Sequence, residues 1–345
     1  MRRNLEKKYG KKFSVIIMML VLCLMSSLVL TGCGSSGEGT GDGGEETPEP
    51  VIYVNPLTGA ESKEPWAARP VQVSIDNVGD AIPQSWLSKA DLVYEFPVEG
   101  KQSRLQAIYY SQFPEEFGPI RSTRPYFVDL TREYKAIFVA HGWSPQAKEY
   151  LQSNVVPYIN AMNSSCDFYR VSDKTSPHNS YLAWSEVEAK IEEKGWWDEQ
   201  QEIRPFTFLE EGAQNEGAAA TYIEIDYGAS DCEYTYDAET GLYTRTVNGT
   251  AYVDHETGES IKVNNILVQN VTSSVLDKKG RLEIDMCAGG NATLFTNGVA
   301  VEGTWSRADL DSRTIFVDAE GNEFQLSTGT SWVNVVDQNT SVSYQ

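Results

Sequence analysis

The sequence predicts an α+β protein in which an N-terminal α/β domain with a mixed sheet precedes an antiparallel all-β C-terminal domain. Between Pro56 and about Phe208, short β-type runs alternate with segments of helical periodicity. From Thr221 onward the helical periodicity disappears, and many short β-type runs follow with turn sequences between them. We therefore place the two folded domains at residues 51–215 and 216–345.

The N-terminus predicts a lipoprotein signal peptide over residues 1–32. Six basic side chains open it, and residues 13–30 form an uncharged run rich in Ile, Leu, Met and Val. Leu30-Thr31-Gly32-Cys33 ends the run, and a signal peptidase that cuts before this cysteine leaves it free to carry acyl chains. The alternative is a transmembrane anchor, because the run is nearly long enough to span a bilayer. The cysteine favours lipidation at Cys33.

Residues 33–50 predict a disordered, acidic, Gly-rich linker. After Cys33 the segment reads GSSGEGTGDGGEETPEP, which has no large apolar residue and cannot bury a core. The lipid anchor makes the membrane a predicted partner and places the protein on the outer, extracytoplasmic face of the cell membrane.

The net charge argues against several classes of function. The chain carries a formal charge of -21, and removal of the signal peptide, with six basic residues and one acidic residue, leaves -26. So acidic a surface disfavours nucleic acid as a partner and disfavours docking on anionic lipid, since both need basic patches. It suits a soluble domain, or one that meets cations or basic partners.

The N-terminal domain elements follow the hydrophobic pattern. A continuous apolar run (AIFVA) predicts a buried strand, and the hydroxyl and proline of Ser144-Pro145 predict a helix start. Strands are predicted at 71–75, 92–98, 105–110 and 136–140, and helices at 125–134, from Ser144 onward and at 184–194.

The C-terminal domain reads as many short strands at regular spacing, which is typical of an antiparallel sandwich or barrel. The strands are predicted at 221–225, 233–236, 242–247, 252–253, 266–271, 282–286, 294–295, 299–305, 314–317, 324–326 and 332–336. Three dipeptides suit tight hairpins: Asn248-Gly249, Asn297-Gly298 and Gly321-Asn322.

The three cysteines that follow Cys33 in the chain predict no metal site. Cys166, Cys232 and Cys287 are an odd number at irregular spacing, without a CxxC or a Cys/His knuckle. One disulfide with a free thiol and three free cysteines are both compatible with this; Cys232 and Cys287 are the pair if a disulfide forms. No phosphate loop or dinucleotide fingerprint is present, so no cofactor is predicted.

Several motifs occur in a recognisable order along the chain. They are Asn55-Pro56-Leu57-Thr58-Gly59, Ala90-Asp91-Leu92-Val93-Tyr94-Glu95, Gly118-Pro119-Ile120-Arg121-Ser122, Pro177-His178-Asn179 and Gly329-Thr330-Ser331-Trp332. Together they resemble the YerB-like bacterial lipoproteins, a family with an N-terminal and a C-terminal domain of unknown function (DUF3048). The resemblance covers nearly all of the mature chain and implies a two-domain lipoprotein. It implies no activity, cofactor or catalytic residue.

The first candidate site is the sequence that runs from Arg121 to Pro125. Ser122 or Thr123 can cap the helix that follows, and Pro125 fits its first turn. Arginines beside free backbone N–H groups form an anion site, and their spacing would let Arg121 and Arg124 reach one phosphate or carboxylate. The alternative is a structural network of ion pairs with Asp129, Glu133, Glu95 or Glu99.

Two histidines are the second candidates. His141 ends a buried strand before a helix, where open α/β sheets usually hold ligands, and Trp143 beside it offers a stacking surface. His178 and Asn179 lie in a polar loop. A zinc site would need both histidines with Asp76 or Glu95, and no spacing supports it. Ser144 has no nucleophile elbow, so its capping role accounts for it.

Three functions remain open. We favour a non-catalytic module that binds an anionic cell-wall ligand or an envelope protein; its candidate binding residues are Asp76, Glu95, Arg121, Arg124, His141, His178 and Asn179. The first alternative is a cell-wall or glycan hydrolase, in which two carboxylates among Asp76, Glu95 and Glu99 would act together. The second is a scaffold for a membrane protein, which predicts an exposed apolar patch.

Overall fold

Strands dominate the fold of the computed structural model, which describes residues 51–164 and 166–345. The residues from Pro50 to Gln345 form one compact unit. The predicted signal peptide, linker and lipidation site Cys33 lie outside the described residues. None of the helices in the described ranges combines the length and apolar character needed to cross a membrane.

Three α-helices lie among the described residues: α1 (Pro125–Glu133), α2 (Pro145–Gln152) and α3 (Trp184–Lys194). The predicted cap of α2 is confirmed, because Ser144 Oγ accepts a hydrogen bond of 3.2 Å from the N–H of Ala147. The predicted hydroxyl cap of α1 is wrong. Ser122 Oγ donates to the carbonyl of His141 and Thr123 Oγ1 to that of Arg124, so α1 begins without a side-chain cap.

Short strands make up most of the rest of the described chain. Those before residue 210 are β1 (Tyr53–Val54), β2 (Glu61–Ser62), β3 (Val71–Asp76), β4 (Leu92–Pro97), β5 (Ser103–Tyr109), β6 (Glu116–Phe117), β7 (Ile137–Ala140), β8 (Tyr158–Asn160), β9 (Tyr169–Arg170), β10 (Ser180–Ala183) and β11 (Thr207–Phe208). Those that follow are β12 (Ala218–Ala219), β13 (Tyr222–Asp226), β14 (Asp231–Asp237), β15 (Leu242–Val247), β16 (Thr250–Ala251), β17 (Lys262–Val263), β18 (Asn265–Asn270), β19 (Ser273–Val275), β20 (Leu282–Ile284), β21 (Gly290–Thr296), β22 (Val299–Ser306), β23 (Ile315–Asp318), β24 (Gln325–Leu326), β25 (Ser331–Val336) and β26 (Ser341–Tyr344).

One mixed sheet takes strands from both predicted domains. Its order is β12-β22-β21-β18-β25-β4-β5-β3-β7-β8, with β23 on β22. Strand β25 joins the two halves, because it pairs in parallel with β18 and with β4. The α+β class is therefore correct, but the C-terminal half is not purely antiparallel. The boundary between residues 215 and 216 stays a prediction.

A second sheet of six strands lies entirely in the C-terminal half. Its order is β16-β15-β14-β13-β26, with β17 on β15, and every pair is antiparallel. Buried and less buried residues alternate along β13 and β15, as expected for strands with one face on a core. Cys166, Cys232 and Cys287 are free cysteines, so the pair that the sequence favours forms no disulfide here.

The large sheet separates two hydrophobic clusters. Ile75 and Leu105 face the cluster that includes Ile223 and Tyr243 of the second sheet. Phe96 faces the other cluster, with Phe127 of α1 and other apolar residues. Neighbouring positions on one strand point to opposite faces, so the face that a residue occupies decides which cluster it joins.

Three parallel strands end at the same edge of this sheet. β3 pairs in parallel with β7, and β7 pairs in parallel with β8, so their last residues, Asp76, Ala140 and Asn160, lie at one carboxyl edge. A segment at 119–123 crosses this edge, since the N–H of Asp76 donates to the carbonyl of Pro119 (2.8 Å). Helices α1 and α2 follow directly on this segment and on β7. The carboxyl ends of three strands and the starts of two helices therefore lie at one edge of the sheet, which is where open α/β sheets usually bind ligands.

Candidate anion site at the carboxyl edge

A buried carboxylate forms the base of the candidate site. Asp76 is fully buried at the end of β3. Its Oδ2 atom lies 2.9 Å from Arg121 Nε and 2.7 Å from His178 Nδ1. One carboxylate oxygen therefore forms a hydrogen bond with the imidazole of His178 and an ion pair with the guanidinium of Arg121, whose Nε atom is too poorly aligned for a hydrogen bond.

A second arginine lies behind this group. Arg104 on β5 is buried, and its Nη1 donates a 2.8 Å hydrogen bond to the carbonyl of Ser122. Burial, with the nearby Arg124 guanidinium, lowers the pKa of Arg104 to about 10, so it stays protonated at neutral pH. Sequence reasoning missed Arg104. A lone arginine inside a β-type run carries no motif, and only the pairing of Arg104 with Asp76 across β3 and β5 brings it here.

The third group is the imidazole of His141. Its Nδ1 atom lies 2.5 Å from Ser180 Oγ, and its ring meets Phe168 edge-on with 5.6 Å between the ring centroids. Burial lowers the pKa of His141 below its ordinary value of 6.5, and the cationic side chains of Arg170 and Arg121 lower it further. His141 is therefore neutral at pH 7.

The outward ends of these side chains are available. Among the described residues, no hydrogen-bond partner contacts the two Nη atoms of Arg121 or the Nε2 atoms of His141 and His178. None of these atoms is among the buried polar atoms that lack a partner, so they are accessible to solvent. The side chains of Arg121 and His178 are 24% and 19% exposed. Each side chain is thus held at its inner end and open at its outer end.

The guanidinium of Arg124 is not available to a ligand at this site. Its Nε donates a 3.2 Å hydrogen bond to Glu99, its Nη2 forms an ion pair with the same carboxylate, and its Nη1 donates to the carbonyl of Thr123. Only 6% of the side chain is exposed. The prediction that Arg121 and Arg124 share one anion is wrong, because Glu99 already occupies the Arg124 guanidinium. The ion-pair alternative holds for Arg124.

Glu95 does not belong to the site. It aligns with Leu105 across β4 and β5, whereas Asp76 aligns with Arg104 across β3 and β5, so Glu95 and Asp76 lie on opposite faces of the sheet. Glu95 is fully buried and forms a 2.7 Å ion pair with Arg245. Its assignment as a binding residue is therefore wrong.

The side chain of Asn179 forms its hydrogen bonds within its own loop and none at the edge of the sheet. Its Oδ1 accepts a hydrogen bond of 2.6 Å from Arg170, and its Nδ2 donates to the carbonyls of Val171 and Lys174. Because every polar atom of the Asn179 side chain is used within this loop, the residue positions Arg170 and its neighbours. It does not present a free group to a ligand, so its assignment as a binding residue is wrong.

The three carboxylates of the hydrolase alternative do not form a pair. Each binds a different arginine: Asp76 binds Arg121, Glu95 binds Arg245 and Glu99 binds Arg124. Two carboxylates that act together on a glycosidic bond must both face it. This arrangement gives the hydrolase alternative no support. Within the described ranges, no group of three or more His, Cys, Asp or Glu residues could hold a metal ion.

A pocket of about 670 Å³ lies elsewhere, between the end of α1 and the segments at 202–205 and 306–315. Its buried cations, Arg307 and Arg313, both bind the fully buried Glu133. These side chains hold the wall of the pocket together, and the two guanidinium groups share the single carboxylate of Glu133 as their counter-charge.

Replacing Arg170 with Gln should raise the pKa of His141 toward 6.5, because the guanidinium of Arg170 disfavours the imidazolium. Arg170→Lys keeps the charge and should leave the pKa of His141 low. An NMR titration of the imidazole protons measures both, with His141→Gln for assignment. An unchanged His141 titration in Arg170→Gln would contradict the electrostatic cause.

Comparison with known proteins gives consistent results along the chain. Residues 57–197 match the DUF3048 N-terminal domain and residues 223–333 match the DUF3048 C-terminal domain, both described as of unknown function. The chain is 36% identical over 287 residues to YerB of Bacillus subtilis (strain 168), named as a candidate lipoprotein; the match covers 81% of this chain and 85% of that protein. The crystal structure of the Bacillus subtilis YerB protein is similar with a TM-score of 0.75 and 36% identity, over 84% of this chain and 99% of that one.

Proposed function

This chain belongs to the DUF3048 family, and on that basis we propose that it is a membrane-anchored envelope lipoprotein that binds a small anionic group at the carboxyl edge of β3 and β7. The name of the Bacillus subtilis relative supports the anchor, as does the Leu30-Thr31-Gly32-Cys33 sequence. The lipid would hold the domain at the outer face of the membrane, where anionic cell-wall groups are its ligands.

The geometry of Arg121 carries this proposal. Its Nε forms an ion pair with the buried Asp76, and its two Nη atoms have no hydrogen-bond partner among the described residues. Two parallel N–H groups of a guanidinium match two oxygens of a phosphate or carboxylate. Because the ion pair with Asp76 restrains the side chain, less conformational entropy is lost when an anion binds.

The surrounding charges also favour an anion. Asp76 is shared by Arg121 and His178, and the buried Arg104 lies behind it. Arg170 is exposed beside His141. A group of cations with so few open carboxylates stands out in a chain of net charge -21, and a partly buried site screens its charges less than open surface does.

Inorganic phosphate is the first probe. The full chain has three histidines, so titration with phosphate at constant pH and ionic strength should shift the imidazole signals of His141 and His178. His255 should shift little, because both of its ring nitrogens face carboxylates, those of Asp173 and Glu256.

Arg121→Gln should weaken phosphate binding about 10- to 100-fold, the loss expected for charge-assisted hydrogen bonds. Arg204→Gln removes a half-exposed arginine paired with Glu323 and is the matched control. Phosphate binding that is equal in Arg121→Gln and the original chain would rule out this site.

The scaffold alternative is supported by exposed apolar residues. Val275 and Leu276, for example, are 69% and 38% exposed at the end of β19, and contiguous exposed apolar residues can mark an interaction site. A membrane-protein partner that covers them would protect the amides of this hairpin from hydrogen exchange.

A further inference from the structure

The pocket of about 670 Å³ at the end of α1 is lined by more basic than acidic residues. The four basic and three acidic residues are Lys135, Arg204, Arg307, Arg313, Glu133, Glu202 and Asp311. This excess runs against the charge of the whole chain, which is -21. The partners of each side chain show which of these charges are open to a ligand.

The guanidinium of Arg313 is held on several sides. Its Nη1 donates a 2.7 Å hydrogen bond to Glu133, and its Nε donates one of 3.4 Å to the carbonyl of Arg204. The ring centroids of Tyr134 and Phe206 lie 4.7 and 4.0 Å from its Cζ. Its Nη2 has no partner among the described residues and is not a buried atom, so it is accessible to solvent. A guanidinium that is fixed in this way and keeps an open N–H group suits a carboxylate.

The positive charge of Arg313 is only partly balanced. Arg307 and Arg313 share the single carboxylate of Glu133, and Nη1 of Arg307 is buried without a hydrogen-bond partner. Two guanidinium groups and one carboxylate leave an excess positive charge, which solvent screens less here than on open surface. An anionic group on a ligand supplies the missing counter-charge.

Two exposed charges of opposite sign line the same pocket without an ion pair. Arg204 and Asp311 pair with residues outside the lining. Lys135 and Glu202 are exposed, and neither forms an ion pair within the part of the chain that the structure describes. Because they do not pair with each other, both are available to one ligand that carries a negative and a positive end.

The segment at 202–205 adds backbone donors to the pocket. It belongs to no helix or strand. The backbone N–H groups of Glu202 and Arg204 have no acceptor in the ranges that the structure describes. Carbonyl groups of a peptide can accept from such donors, and main-chain hydrogen bonds of this kind contribute to the affinity of bound peptides.

We propose that this pocket binds a short peptide with free termini. The C-terminal carboxylate binds the open Nη2 of Arg313 and the ammonium of Lys135, and the N-terminal ammonium binds Glu202. The size of the pocket agrees with this ligand, because pockets of about 300–1,000 Å³ hold organic molecules rather than single ions. The proposal does not rest on the phosphate site at the carboxyl edge of β3 and β7, which uses other residues.

Isothermal titration calorimetry of the full chain with trialanine tests this proposal. Trialanine amide, which lacks the carboxylate, should bind about 10- to 100-fold more weakly, the loss expected for charge-assisted hydrogen bonds to a buried guanidinium. N-acetyltrialanine, which lacks the ammonium, should bind about 2- to 5-fold more weakly, as expected for an ion pair with an exposed glutamate. Trialanine that does not bind, or that binds no better than either blocked peptide, overturns the proposal.

Two variants assign the ends of the peptide. Glu202→Gln should weaken the binding of trialanine and of its amide, but not that of N-acetyltrialanine. Lys135→Gln should weaken the binding of trialanine and of N-acetyltrialanine, but not that of the amide. Glu239→Gln and Lys279→Gln remove exposed charges that do not line the pocket, so they should leave all three affinities unchanged.

The pattern across the three peptides decides the result. Equal losses for all three peptides in Glu202→Gln or in Lys135→Gln would contradict the assigned contacts and with them the proposal. If a variant fails to fold by circular dichroism, the affinities of the original chain for the three peptides decide alone. The phosphate titration of His141 and His178 is a separate measurement, so its failure with peptide binding retained would overturn only the anion site.

Discussion

Replacing Arg245 with Met is expected to lower the free energy of unfolding by about 3–5 kcal/mol, the cost of leaving a buried charge without its partner. Arg245 and Glu95 are both 0% exposed and form a 2.7 Å ion pair. The guanidinium also lies over the rings of Trp332 and Tyr252, 4.4 and 4.9 Å from their centroids. Methionine fills part of this volume but leaves the buried carboxylate of Glu95 without a counter-charge, with the neutral donors of Asn77, Ser103 and Trp332 around it.

Urea unfolding followed by tryptophan fluorescence and circular dichroism measures this loss. The double variant Glu95→Gln with Arg245→Met should recover part of the stability, because it removes the unpaired charge together with its partner. Arg204→Gln, which breaks the exposed pair with Glu323, should cost about 1 kcal/mol or less. A loss below about 1 kcal/mol for Arg245→Met would contradict the stabilising role of the buried ion pair.

Replacing Glu133 with Gln is expected to cost about 3–5 kcal/mol as well. The carboxylate ends α1 and lies 3.2 Å from Arg307 Nη1 and 2.7 Å from Arg313 Nη1. It also accepts hydrogen bonds from the N–H and the hydroxyl of Thr314. Glutamine keeps the size of the side chain but leaves two buried guanidinium groups without a counter-charge.

Urea unfolding also measures this loss, and Asp311→Asn is the matched control. Asp311 is 69% exposed and pairs with Arg132, so its loss should cost about 1 kcal/mol or less. Equal stabilities of Glu133→Gln and Asp311→Asn would contradict the structural role of Glu133. Restoration of the lost stability by Arg313→Met in the Glu133→Gln background would confirm that the unpaired cation causes it.

Both buried ion-pair groups join distant parts of the chain. Glu95 and Glu133 lie in the segment that matches the DUF3048 N-terminal domain, whereas Arg245, Arg307 and Arg313 lie in the segment that matches the C-terminal domain. The large sheet crosses between the same two segments. We therefore expect each variant to weaken both halves together and to shift one unfolding transition rather than two.

The sequence correctly predicted the helix cap and the tight turns, because these depend on residues that are close together in the chain. The cap at Ser144 is confirmed because a hydroxyl followed by proline satisfies a helix start without help from elsewhere. Asn248-Gly249 and Asn297-Gly298 both adopt positive φ, the geometry that such dipeptides favour in tight hairpins. Motif order also predicted the DUF3048 family, and the domain matches confirm it.

The sequence alone thus determined the α+β class, the family, and Arg121 and His178 as site candidates, because local chemistry and motif order carry that information. Three arrangements depend on residues far apart in the chain and are visible only in the folded protein: Glu99 pairs with Arg124, Arg104 lies beside Asp76 at the candidate site, and Glu95 lies on the opposite face of the sheet. The reason is physical. A shift of one residue along a strand moves a side chain to the other face of the sheet, and an arginine pairs with whichever carboxylate the fold brings within a few ångströms.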